Sequence, residues 1–199
     1  GLAISYYMFR DPTAWYHIVA AADYSNSTAA DRIKIYVNGS QIDLNITDDI
    51  ENADGQCNGA FEHEIGAIGS SGAVFDGYMA DINFIDGQAL DPSYFGYTEF
   101  QTKVWRPKRY TGTYGNNGFK LDFRDFTGDT ATTIGRDYSG NQNNFSPDNF
   151  GGTTDGAIDS PTNNFTSFNK IMDYSLNADI EEAGLRVEGP DSGHNDRRI

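Results

Sequence analysis

The sequence predicts an all-β protein of short strands and many turns, and three observations carry that prediction. Hydrophobic residues are only 38% of the 199 while aromatics reach 14%, a balance suited to thin sheets with one wet face. The 22 glycines recur in Asn/Asp/Ser-rich clusters that punctuate the chain as turns. Between those clusters lie runs of four to eight residues in which apolar and polar side chains alternate with period two, the pattern of half-buried strands.

Gly1 to Phe9 reads as a strand that starts without a lead-in, which predicts a chain that continues upstream. Arg10 to Ala14 is a turn held by Pro12, whose ring fixes φ. Trp15 to Asp23 follows, with Trp15, His17, Val19 and Ala21 on one face and Tyr16, Ile18, Ala20 and Ala22 on the other. Both faces are apolar enough for a central strand. After a polar loop over Tyr24 to Asp31, Arg32 to Val37 alternates strictly, predicting Ile33, Ile35 and Val37 inward and Arg32, Lys34 and Tyr36 outward. Asn38-Gly39 supplies the two positive-φ residues of a tight hairpin, and Ser40 to Leu44 returns.

Asn45 to Ala60 is a long acidic loop, and Phe61 to Gly66 leads into the most regular run of the chain, Phe75 to Leu90. There Asp76-Gly77 and Asp86-Gly87 bracket eight residues, with Tyr78, Ala80, Ile82 and Phe84 on an apolar face and Met79, Asp81, Asn83 and Ile85 on a mixed one. Asp91 then reads as an N-cap with Pro92 at the first position of one or two helical turns. Lys103 to Arg109 is the one basic cluster, read as a docking linker whose Trp105 packs down and whose cations meet acidic neighbours. Gly118 to Phe123 alternates as a strand, 125–149 and 150–169 are loop-dominated, and Leu185 to Val187 begins a further strand and turn. The predicted division is 1–98, a linker over 99–117, a strand and Asp/Asn/Gly loop over 118–150, and a loop-rich segment over 151–199.

Charge and cysteine content exclude several function classes. Fourteen Lys+Arg against 29 Asp+Glu leave a net charge of −15, which opposes a general grip on nucleic acid or an anionic membrane. Such a surface fits solubility, a salty medium or cation binding. Cys57 is the single cysteine, so neither an internal disulfide nor a thiolate zinc cluster can form. No apolar run approaches the roughly 18 residues of a membrane span, so no membrane insertion is predicted.

Four strings occur in order: Trp15-Tyr-His-Ile-Val19, Arg32-Ile-Lys-Ile-Tyr-Val-Asn-Gly39, His63-Glu-Ile-Gly66 and Phe75 to Leu90. Leu90 to Gly96, Trp105 to Gly115, Gly118 to Phe123 and Gly135 to Phe145 follow. This succession resembles the concanavalin A-like lectin/glucanase domains of the laminin G type, in the version found in bacteriophage tail and fibre proteins. It covers roughly Phe9 to Asn149, and the combination is specific although each string alone is not. The resemblance implies a two-sheet jelly-roll β-sandwich, here without counterparts of the family's first strands, and a location in the virion. It further implies partners among other virion proteins, a host cell-surface glycan as ligand, and a homotrimer. Leu185 onward is faintly similar to the start of a SPRY-like module.

Candidate chemistry is sparse. Glycoside hydrolysis needs two carboxylates about 5–9 Å apart, and Glu62 and Glu64 share a strand face around His63. The Glu-x-Asp-x-x-Glu strand of the glucanase relatives does not occur, so a solvated face is the preferred reading of that pair, and no catalytic residue is assigned. For calcium, Asp137, Ser139, Asn141 and Asn143 stand at alternate positions around Gly140, a spacing by which a curled loop can aim oxygens inward. With one carboxylate the site would be weak unless Asp125 or Asp129 joined it, and an Asx/Gly turn without metal explains the same pattern. Asp76, Asp81 and Asp86 are read as turn caps or calcium ligands. His17 is read as a hydrogen-bonded core residue, and His63 and His194 do not combine into a zinc site. Tyr6, Tyr7, Tyr24, Tyr36, Tyr78 and Tyr97 are candidate sugar platforms, although strand packing with a wet hydroxyl explains most tyrosines in a sandwich.

The expected function is therefore a non-catalytic virion protein for glycan adhesion or assembly. A polysaccharide-degrading subunit with its catalytic carboxylates upstream, and a purely architectural decoration protein, are the alternatives.

Overall fold

A computed structural model describes residues 3–11, 13–46, 58–59, 62–69, 73–150, 155–157, 160–161, 179–181, 186–188 and 197–198. Among them every strand pair is antiparallel and no α-helix occurs, so the chain is all-β. β1 (Ala3–Ser5) pairs with β5 (Leu44–Ile46), and β2 (Ile18–Ala22), β3 (Ile33–Val37) and β4 (Ser40–Gln41) form a meander. β6 (Ala67–Ile68) and β7 (Ala73–Val74) make a small hairpin. β8 (Ile82–Phe84) pairs with β11 (Phe119–Leu121), and β9 (Gly96–Thr98) with β10 (Trp105–Pro107). β12 (Asp179–Glu181), β13 (Arg186–Glu188) and β14 (Arg197–Arg198) form a second three-stranded sheet.

The hairpin over Asn38-Gly39 forms as its residues dictate. Asn38 has φ 49° and Gly39 φ 79°, both left-handed as a two-residue turn matched to strand twist demands, and Val37 faces Ser40 across it. The return is shorter than the sequence suggests. Ser40 and Gln41 form β4 on β3, the Ile42 N–H still donates to the Ile35 carbonyl at 2.9 Å, and from Leu44 the chain pairs with β1. Asp91 also caps as expected: its Oδ1 accepts from the Ser93 N–H at 2.7 Å, and Pro92 opens a single 3-10 turn over Pro92–Tyr94.

Three expectations are corrected. β2 lies at an edge of its sheet with Val19 buried and Ile18, Ala20 and Ala22 exposed, so it is not a doubly covered central strand. Arg32 does not point outward. It is 3% exposed, and its guanidinium reaches back to donate to the carbonyls of Asn26 (2.7 Å) and Ser27 (3.3 Å), closing the polar loop before β3. The eight-residue strand between the two Asp-Gly pairs shrinks to Ile82–Phe84. Asp81 sits at φ 51°, a left-handed conformation that ends an extended run. Tyr78 is 46% exposed, and Ala80, Ile82 and Phe84 are partly exposed.

The core gathers where β8 meets β11. Phe84 stacks on Phe119 at 5.4 Å, and Phe119 meets the edge of Phe145 at 4.7 Å. Leu121 and Ile134 are buried. A second cluster stacks Phe95 on Tyr110 at 5.1 Å and sets Tyr114 edge-on to Tyr110 at 5.2 Å. Gly118 joins the two: a Cβ there would overlap the Tyr114 carbonyl and lie 2.8 Å from that of Phe84, so only glycine permits this approach.

Trp105 fastens the basic segment to the meander. Its indole lies over Gly39 on one side and Gly96 on the other, and His17 sits 5.7 Å away, ring centre to ring centre. The packing expected of Trp105 is present, but on a strand, β10, where a linker was expected. Arg106 approaches Glu99 at 3.5 Å, and Lys103 lies over the Phe100 ring.

Candidate functional site

An open groove of about 610 Å³ lies between the end of β1 and the Asn38-Gly39 hairpin. Tyr6 and Tyr7 stand on one side with Ser5, and Asn38, Ser40, Gln41 and Asp43 on the other. Val37 and Ile42 add apolar surface between them. The β1–β5 ladder sets this juxtaposition. Ser5 pairs with Leu44 at the end of that ladder, and Tyr6 and Asp43, the next residues along the two segments, both line the groove.

The two tyrosines differ in support. Tyr6 is 80% exposed and Tyr7 43%. Tyr7 is braced by a chain of edge-on rings, Tyr7 to Phe9 at 5.1 Å and Phe9 to Tyr16 at 4.9 Å. The Tyr16 hydroxyl accepts from the Asp11 N–H at 3.1 Å, and the Tyr7 N–H donates to Ser5 Oγ at 3.0 Å. Tyr7 is thus a fixed plate and Tyr6 an open one.

Opposite them, Asn38 is locked by its backbone and its side-chain oxygen. Its N–H donates to the His17 carbonyl at 2.8 Å, and its Oδ1 accepts the His17 N–H at 2.9 Å. This leaves the Asn38 amide NH₂ as a positioned donor. The side chains of Gln41 and Asp43 make no hydrogen bond among the described residues, and both residues are exposed. The site therefore offers aromatic faces, amide donors, hydroxyls and one carboxylate acceptor. A hydroxyl-rich ligand whose C–H faces can lie on rings is complementary to that set.

The candidate calcium residues are brought together in a different role. Asp137 is 6% exposed, bridges to Leu121, and its two carboxylate oxygens accept four donors. These are the N–H groups of Lys120 (2.8 Å), Ser139 (2.7 Å) and Asn143 (3.0 Å), and the Ser139 hydroxyl (2.8 Å). Asn141 and Asn143 turn their NH₂ groups to the carbonyls of Gly115, Asn116 and Gly118. The loop is a clasp that fastens 137–143 to the turn before β11. A cation at Asp137 would have to displace its donors. Burial pushes the Asp137 carboxyl up, and the combined hydrogen bonds outweigh it, holding the group below the usual carboxylate range.

The remaining candidates serve turns or surface. Asp125 accepts from the Thr127 hydroxyl at 2.6 Å, and Asp129 is exposed. Asp81 pairs with Lys120 at 3.2 Å, and Asp76 is exposed. Asp86 accepts from Asn58 Nδ2 (2.6 Å) and the Asn117 N–H (3.1 Å). Glu62, His63 and Glu64 are exposed, and Glu64 accepts from the Gly69 N–H. Among the described residues no three His, Cys, Asp or Glu side chains converge on a point that could hold a metal ion. Cys57 and His194 lie outside the described residues.

His17 departs from the sequence reading. Its Nδ1 is buried without a hydrogen-bond partner among the described residues, as is Trp105 Nε1. Burial lowers its pKa, so the imidazole is held neutral against the indole.

Sequence reasoning singled out Tyr6 and Tyr7 but missed Asn38, Ser40, Gln41 and Asp43 as a ligand wall. The hairpin was legible as a turn; that β1 lies beside it was not. No family model matches the chain, and no curated protein or solved structure is significantly similar to it.

Proposed function

We propose that the chain is a non-catalytic virion component, of a bacteriophage tail or fibre, that holds host-surface glycan in the groove between Tyr6–Tyr7 and the Asn38-Gly39 hairpin. The carrying observation is the pairing of a braced tyrosine plate with positioned amide donors across an open groove. The ordered strings from Trp15 to Phe145 support the virion assignment. The small antiparallel sheets are compatible with a lectin-like jelly-roll sandwich without counterparts of the family's first strands, which we propose as the architecture. Among the described residues the groove lining carries one carboxylate, Asp43, where glycoside hydrolysis uses a pair. Among the described residues no helix is long and apolar enough to cross a membrane.

The test is a glycan array and a host-cell adhesion assay with the whole chain, the Tyr7→Ala variant and a control at the exposed Tyr94, Tyr94→Ala, outside the groove. Binding that falls roughly two- to tenfold in Tyr7→Ala, the size expected for losing one aromatic contact of about 0.5–1.5 kcal/mol, and is unchanged in the control supports the proposal. Absence of binding to both array and cells would remove adhesion and leave an architectural role.

A further inference from the structure

We infer that the groove selects uncharged oligosaccharides and discriminates against chains carrying uronate or other carboxylate groups, an inference that rests on the glycan reading above. The argument is one of charge and donor chemistry. Of the groove's lining residues Asp43 alone carries a formal charge, and it is exposed. Among the described residues no Lys or Arg lines the site.

The basic residues of the adjoining sheet are committed elsewhere. Lys34 pairs with Asp31 at 2.8 Å, and Arg32 is folded over the carbonyls of Asn26 and Ser27. Arg10, the cation nearest the tyrosines in sequence, is not part of the lining. Carboxylate recognition ordinarily uses a guanidinium fork or ammonium, and the groove provides neither. It instead places a carboxylate where it accepts from sugar hydroxyls. The chain's net charge of −15 adds a repulsive background that salt only partly screens.

The uncharged groups complete the selection. The Asn38 NH₂, the Gln41 amide and the Ser40 hydroxyl suit the mixed donor and acceptor character of hydroxyls. Tyr7 is the plate on which a ring's C–H face would lie, and Asp43 lines the same groove. A ring seated on the tyrosines thus presents its equatorial hydroxyls to a negatively charged edge.

The experiment compares a neutral hexose hexasaccharide with a hexauronate of the same length, titrated calorimetrically against the whole chain at low and high salt. The neutral chain is expected to bind more tightly by roughly tenfold at low salt, the scale of one like-charge contact near a protein surface, and the gap should narrow as salt rises. Asp43→Asn should bring the two affinities to within about twofold, and Asp43→Lys should reverse the order; circular dichroism checks that both variants keep the fold. Equal binding of the two sugars by the unmodified chain, or tighter binding of the uronate, would overturn this inference while leaving the glycan reading intact. Binding of neither sugar, together with a blank array, would overturn both.

Discussion

Replacing Gly39 by alanine should destabilise the protein through a contact with Trp105, more than sixty residues away in sequence, and the size of the effect follows from two glycines with the same φ. Gly39 and Gly87 both have φ 79°. An alanine at either pays the left-handed penalty of about 1–2 kcal/mol. At Gly87 nothing lies within 4 Å of the added Cβ, whereas at Gly39 it would enter the Trp105 ring, with even Cδ2 only 2.9 Å away. The indole cannot swing aside cheaply because Gly96 and His17 hold it from other directions. Overpacking of this kind costs a further ~1–3 kcal/mol. Gly87→Ala should therefore cost about 1–2 kcal/mol and Gly39→Ala about 2–5 kcal/mol. At the midpoint of the difference, ~2 kcal/mol, the Gly39 variant should melt about 4–8 °C below the Gly87 variant. Urea unfolding of both single variants, of Trp105→Ala and of the Gly39→Ala/Trp105→Ala pair completes a cycle. With the indole gone, the Gly39 substitution should cost no more than that at Gly87. An undiminished Gly39 penalty in the Trp105→Ala background would refute the account of Trp105 as the lock between hairpin and basic segment.

The Asp137 clasp makes two linked predictions. Asp137→Ala strips the acceptor from three backbone N–H groups and a hydroxyl and should cost about 2–4 kcal/mol in chemical unfolding. Because its folded pKa is depressed, Asp137 contributes stability above its unfolded value near 3.9 that is lost as pH falls through the folded one. Melting temperatures should drop below about pH 4, and Asp137→Asn should flatten that drop; an unchanged acid limb would argue against the clasp. With every carboxylate position taken by a protein donor, millimolar calcium should leave the melting temperature where a chelator leaves it. A calcium-dependent rise abolished by Asp137→Asn would show instead that the carboxylate exchanges its donors for a cation. Burial, with the neighbouring Tyr110, pushes the Tyr114 hydroxyl up to about 12 while it donates to Asn83 Oδ1 at 2.8 Å. Its stability contribution is full below the unfolded pKa near 10 and is lost as pH rises through the folded value. Ultraviolet titration should find one late tyrosine that disappears in Tyr114→Phe, and a titration unchanged by that substitution would contradict its burial.

The parts of the fold legible in the sequence are those with local causes. Asn38-Gly39 makes its turn because two adjacent residues tolerate left-handed φ, and Asp91-Pro92 caps because a carboxylate and a fixed φ lie two residues from the N–H they serve. Alternation placed Val37 inward, and it is buried. The same alternation misled at Phe75 to Leu90, because periodicity records which faces a run could present and is blind to Asp81 leaving the extended region. It misled at Arg32 as well, where a long side chain found carbonyls to satisfy in the preceding loop.

The sequence by itself determined an all-β chain, its tightest hairpin, its capped turn and a net charge that opposes a general grip on polyanions, since each depends on neighbouring residues or on composition. Only the tertiary structure decided that β8 pairs with β11, that Trp105 lies on Gly39, that Asp137's oxygens are already filled, and that Tyr6, Tyr7 and Asp43 line one groove. These depend on pairing between segments separated by tens of residues. That choice is made by the burial and hydrogen bonding of the whole chain, and no single stretch carries its mark.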